Sequence, residues 1–317
     1  MDTSYLLLLQ ELRNGVNDAG TSFFVSLSAF SVTYLFLIPA FVYWCISKRN
    51  GLYIFASAYL CITLSAVIKL VACVYRPWVR DPRIIPAGNS LTRATGYSLP
   101  SGHVTTGTPI YGGLAVSFWN NRLTRWLSVL CITVLLVTAF SRNYLGVHTP
   151  QDVLVGLFLG AGCLWGISYI FQDIKRNPRH ENYFLAGGVL LGICALTFVI
   201  NKSYPMDYIN GKLLVDPQQM MNDAYKDICY LIAFCVARYV EKRWIHFTHT
   251  GWNTKGIVAC ILGLIPAGLI IAFAGPWCVQ LWGAHWGRAL FAFVIVFYII
   301  VGYPLVLKGI FKNKVPA

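Results

Sequence analysis

Charge is scarce in these 317 residues: only 12% are Asp, Glu, Lys or Arg, and the mean hydropathy is +0.60. A soluble chain of this length carries about twice that charged fraction. Acidic residues are the rarer sign, 12 against 25 Lys and Arg, and the sequence has no multiple-carboxylate cluster of the kind that holds Mg²⁺. The ten cysteines are scattered, nearly all within apolar runs, and form no CxxC pair, so neither a zinc site nor a disulfide framework is signalled. Low-complexity stretches and internal repeats are lacking. The start, MDTSYLLLLQELRNG, has no basic stretch ahead of its short apolar run, so no cleavable signal is expected. Leu6 to Leu9 are followed by Gln10, Glu11, Leu12 and Arg13, a pattern that suits an amphipathic interfacial helix better than a span.

What the chain has is hydrophobic length. Apolar runs near the ~20 residues needed to cross a bilayer predict an all-α, polytopic helical bundle. About nine spans are expected, near 22–46, 52–73, 103–119, 125–141, 151–171, 183–201, 224–240, 257–274 and 289–309. Basic residues orient it. If SKRNG is cytoplasmic, every second connection should be basic, and Lys48, Arg49, Arg122, Arg125, Lys175, Arg176, Arg179, Arg238, Lys242, Arg243, Lys255, Lys308, Lys312 and Lys314 satisfy that. Fourteen cations then lie inside and 11 outside, and six of the outer ones (Lys69, Arg76, Arg80, Arg83, Arg93 and Arg142) crowd into two connections. The formal charge of +13 is thus largely an orientation signal, and nucleic acid is not needed as a partner.

The two outer connections also hold the reactive residues. Lys69 and Arg76 are seven residues apart, close to two helical turns, so both are expected on one helix face about 10 Å apart, able to converge on one anion. In YSLPSGHVTTG, Ser101 is expected to N-cap a helix whose first residues are Gly102 and His103. In SRNYLGVHTPQDV, Thr149 and Pro150 read as a cap and first helical position, which lets Asp152 reach back to His148. Taken singly, these also read as snorkelling cations and ordinary caps. Together they make three fixed cations, two histidines, one orienting carboxylate and two helix N-termini, an anion pocket suited to phosphate. The chemistry divides accordingly: Lys69, Arg76 and Arg142 hold non-bridging oxygens, His148 attacks phosphorus with Asp152 behind it, and His103 protonates the departing oxygen and then helps activate water.

Lys69-x6-Arg76-Pro77, Pro100-Ser101-Gly102-His103 and Ser141-Arg142-x5-His148-x3-Asp152 resemble, complete and in order, the three motifs of the type 2 phosphatidate phosphatase and vanadium haloperoxidase superfamily. The resemblance implies a phosphatase that needs no metal or other cofactor, and adds Ser101 and the Gly102 backbone as phosphate ligands. It divides a single integral domain, 1–317, into a three-motif core, 52–172, and a membrane extension, 183–317. The span layout resembles the glucose-6-phosphatase group. The expected substrate is a lipid phosphate (phosphatidate, phosphatidylglycerophosphate or prenyl pyrophosphate type) met at an extracytoplasmic or lumenal face, with membrane lipids as the other partner and a cytoplasmic C-terminus. A soluble sugar phosphate is the alternative substrate. A transporter with an outer anion site is the alternative without catalysis, but it would spread its charges along a path, and these gather at one face.

The same rules leave other polar residues aside. His246 and His249 lie in a basic loop without Cys or carboxylate partners nearby. His285 sits among Trp282 and Trp286, which read as an outer aromatic belt, and Asp207, Asp216 and Asp223 are expected to punctuate a long outer connection.

Overall fold

The computed structural model describes residues 2–16, 20–88, 90, 94, 96–209 and 211–311. Arg93, Lys312 and Lys314, three of the cations counted above, lie outside them. The fold is helical: α1 (Asp2–Gly15), α2 (Thr21–Thr33), α3 (Leu37–Phe41, running into a π turn, Val42–Ile46), α4 (Lys48–Ala72), α5 (Pro77–Arg80), α6 (Gly102–Trp119), α7 (Arg125–Tyr144), α8 (Pro150–Arg176), α9 (His180–Asn201), α10 (Pro217–Val240), α11 (Thr254–Leu269), α12 (Gly275–Phe297) and α13 (Tyr303–Ile310). One antiparallel pair of two-residue strands, Tyr208–Ile209 with Lys212–Leu213, interrupts the connection before α10.

Among the described residues, five stretches are long and apolar enough to cross a membrane: Lys48–Arg80, Arg125–Tyr144, Pro150–Arg176, His180–Asn201 and Thr254–Ile310. The last contains a reversal. Gly283 has φ +77°, and a Cβ on Gly287 would lie 2.4 Å from the Cys278 carbonyl oxygen. Residues nine apart in one continuous helix are about 13 Å apart along the axis, so α12 folds back at Gly283. The run expected at 22–46 is also divided, by a turn at 34–36. Pro39 explains the break, because its ring cannot donate to the Leu35 carbonyl and clashes with it.

Hydrophobic all round, α4 occupies the centre, with Ile54, Phe55, Ala58 and Cys61 fully enclosed. It packs against α6 and α8 on one side and α10 on the other. Small residues set the spacing of the core: a Cβ on Gly160 of α8 would lie 2.5 Å from Cβ of Thr108, and one on Gly156 would lie 3.1 Å from Val104. Helices α6 and α8 therefore approach closely, and their N-termini, which carry His103 and Asp152, come together. At the opposite end the buried Glu241 binds Lys48 Nζ (2.7 Å), the Phe247 amide and Arg238, whose Nε also binds Glu181 at 2.8 Å. This network fastens the start of α4 to the end of α10.

Helix α1 buries Leu6, Leu9 and Arg13 against the body and leaves Leu8 and Leu12 exposed. Arg13 donates to the carbonyls of Ile85 (2.8 Å) and Tyr144 (3.2 Å), and Gln10 exchanges bonds with Arg83 and Ile85. The helix straps both loops that hold the site.

Candidate active site

The first motif does not lie on one helix face. Helix α4 stops at Ala72, where Cys73 adopts a left-handed conformation (φ +47°) and donates its N–H to the Lys69 carbonyl. Residues 73–76 are not helical, and Arg76 is the N-cap of α5. Lys69 and Arg76 nonetheless reach one cavity, and each fastens a neighbouring loop. Lys69 Nζ donates to the carbonyls of Tyr97 (3.1 Å) and Pro100 (2.9 Å). Arg76 donates through Nε to Gly96 (3.0 Å) and through Nη1 to the Val147 carbonyl (3.0 Å). Gly96 fits that position for two reasons: its φ is +81°, and any Cβ would meet Met220 Sδ at 2.1 Å.

Ser101 holds the N-cap position of α6, but its hydroxyl caps nothing. The Ser101 Oγ and the Arg142 Nη2 are buried without a hydrogen-bond partner among the described residues. Two such donors, one of them cationic, suit an oxyanion. Next to them Gly102 leaves open space where a side chain would stand. Arg142, in the last turn of α7, places Nη1 3.3 Å from His103 Nε2 and is steadied by Ser141 Oγ.

His148 precedes α8, whose cap is as the sequence suggests: Thr149 at the N-cap, Pro150 at N1, and a capping box closed by Asp152. The Asp152 Oδ2 accepts from the Thr149 N–H (2.8 Å) and from Ser98 Oγ (2.5 Å), and lies 3.5 Å from His148 Nδ1. Ser98 Oγ is itself 3.4 Å from that Nδ1. Asn143 Nδ2 holds the His148 carbonyl at 2.8 Å. Burial, reinforced by Arg76 and Lys69 and opposed by Asp152, pushes the imidazole down to about 3, so it is neutral near pH 7.

A cavity of about 590 Å³ joins these parts. Lys69, Arg76, Gly102, His103, Arg142 and His148 line it, while Ser101 and Asp152 stand immediately behind. All eight residues singled out from the sequence therefore converge. Sequence reasoning missed Ser98, Asn143 and Tyr97: a serine or asparagine in a turn carries no spacing signal, and their roles depend on loop contacts. It also placed Asp223 in a loop, whereas α10 starts at Pro217 and carries Asp223 into the cavity wall.

Residues 50–176 match the family model described as PAP2 superfamily. The chain carries a PAP2 domain. Within it fall all eight site residues. The protein named undecaprenyl-diphosphatase of Sulfolobus acidocaldarius is 32% identical over 134 residues, 41% of this chain and 58% of that protein. Phosphatidylglycerophosphatase B of Bacillus subtilis is 23% identical over 173 residues, 53% of this chain and 78% of that protein. The chain thus spans less than two thirds of the length of the Sulfolobus relative. No solved structure matches. Most of the extension that follows the PAP2 domain is built from α9 to α13.

Proposed function

We propose that this protein is a membrane phosphatase that hydrolyses a lipid phosphate, as monoester or pyrophosphate, through a phosphohistidine on His148. The observation that carries the reading is the pair of unpartnered buried donors, Ser101 Oγ and Arg142 Nη2, set beside a neutral histidine backed by a carboxylate. Arg76 donates toward His148 Nε2 at 2.9 Å, which leaves the proton on Nδ1 facing Ser98 and Asp152. Nε2 is then the nucleophilic nitrogen. When the Arg76 hydrogen bond passes from Nε2 to an incoming phosphate oxygen, the freed lone pair forms the P–N bond as the bond to the leaving oxygen breaks, and His103 protonates that oxygen. His103 next takes a proton from water, whose oxygen displaces His148 and releases phosphate. Lys69, Arg76, Arg142, Ser101 and the Gly102 N–H neutralise charge on the equatorial oxygens throughout.

The names of the relatives support a lipid phosphate as substrate. Our reading of the topology has nine membrane spans, with the hairpin at Gly283 supplying the last two, α1 lying at the interface and the site on the extracytoplasmic face. The test is trapping of radiolabelled phosphate on the purified chain. Wild type should label at a histidine, His148→Ala should neither label nor turn over, and His103→Ala should fail most on poor leaving groups. Hydrolysis by His148→Ala at wild-type rates would refute the mechanism. Vanadate should inhibit and EDTA should not.

A further inference from the structure

The cavity does not end at the phosphate ligands. Helix α10 supplies Asp223, Lys226 and Asp227 to its wall, and Tyr59, Tyr230, Phe291 and Ile295 continue it. Contacts along α4 and α10 fix the order along the cavity. Met220 packs with Leu70 and Tyr97 beside the phosphate end, and the Asp227 carbonyl accepts from Thr63, nearly two turns along α4 from Lys69. Tyr230 lies further along, its ring 5.5 Å from Tyr59 and nearly parallel to it, with Phe36 stacked on Tyr59 at 5.3 Å. A substrate whose phosphoryl group sits against His148 therefore meets first a polar stretch, then an aromatic platform.

The polar stretch adds no net positive charge. Asp223 pairs with Arg288, and Asp227 lies 3.9 Å from Lys226 Nζ. The fixed cations of the site, Lys69, Arg76 and Arg142, all belong to the PAP2 domain. The second phosphate of a diphosphate would here meet two carboxylates against the one lining ammonium of Lys226, whereas hydroxyls would find acceptors in Asp223 and Asp227 and a donor in Lys226. Tyr97 lines the same cavity.

We infer that α10 reads the leaving group, with Asp223, Lys226 and Asp227 as specificity-determining residues for a phosphate monoester of a hydroxyl-rich alcohol. The inference rests on the phosphatase reading above. The shared chemistry has two sources, a polyol phosphate headgroup on a lipid and a free sugar phosphate. The full chain in detergent is assayed on phosphatidylinositol 4-phosphate, glucose 6-phosphate, phosphatidate, farnesyl diphosphate and p-nitrophenyl phosphate. One polyol substrate should exceed phosphatidate and farnesyl diphosphate in kcat/KM by at least about 10-fold, and whichever wins names the source. Asp227→Asn should lower kcat/KM for that polyol substrate about 10- to 100-fold and leave p-nitrophenyl phosphate unchanged. Asp223→Asn should behave alike, and because it also unpairs Arg288, the Asp227 variant decides the matter if it fails to fold. Preference of the wild type for farnesyl diphosphate or phosphatidate would overturn the inference, as would an equal loss on every substrate in folded Asp227→Asn. Failure of the phosphatase reading is distinct: the wild type would then cleave none of the five, p-nitrophenyl phosphate included, or His148→Ala would still cleave it.

Discussion

Arg76 Nη1 lies 2.9 Å from Nε2 of His148, so one guanidinium fixes the imidazole tautomer and, on the mechanism we propose, is also a ligand for a phosphate oxygen. The same nitrogen donates to the Val147 carbonyl, which ties the cation to the loop that carries the histidine. Arg76→Lys keeps the charge but cannot hold Gly96, Val147 and His148 at once. Its kcat/KM should fall about 10²- to 10³-fold, the usual cost of losing one oriented charge-stabilising donor. Steady-state kinetics with vanadate inhibition in parallel checks this, and unchanged vanadate affinity would count against the ligand role of Arg76.

The depressed His148 pKa has a stability consequence. An unfolded chain protonates this ring near its ordinary value of about 6.5, and the folded protein only near 3. The unfolded state therefore binds more protons between those values, so the contribution of the neutral ring is full above the unfolded pKa and is lost as pH falls toward 3. Replacing the ring removes this loss. The melting temperature of wild type minus that of His148→Gln should shrink as pH is lowered from 7 to 4, and a constant difference would contradict the burial argument.

Helix spacing should matter as much as chemistry. Gly160→Val would drive two methyl groups into Thr108, where even one Cβ has only 2.5 Å. Separation of α6 from α8 would move His103 away from His148. Activity should drop at least about 10²-fold, while Gly162→Ala, with nothing within 4 Å of its Cβ, should be silent.

Sidedness is checked by cysteine labelling of intact membranes. A cysteine at Arg83 should react with an impermeant maleimide from the extracytoplasmic side, and one at Arg176 only after permeabilisation. The reverse pattern would invert the topology.

The candidate site residues were legible because the phosphoryl chemistry proposed for them calls for specific groups at specific offsets from helix starts. Thr149, Pro150 and Asp152 announce their own geometry, since a capping box is a local structure. The periodic argument for Lys69 and Arg76 failed, because nothing in LVACVYRP signals a left-handed cysteine that ends α4 ahead of Pro77. Gly283 was equally silent: a glycine between Trp282 and Ala284 reads as one more small residue until the backbone of Cys278 is seen against Gly287. Asp223 was misplaced because the apolar run of α10 begins only at Ala224, so its polar first turns from Pro217 to Asp223 read as loop until the helix is seen to carry Asp223 to the cavity.

The strap formed by α1 also fixes an order of assembly. Arg13 is synthesised before either of its partners, Ile85 and Tyr144, which lie 72 and 131 residues further on. Helix α1 can therefore be seated only after α7 is in place. The final clasp on these two loops comes from a segment made before either of them, and a bulky fusion ahead of α1 would weigh on that last step rather than on membrane insertion.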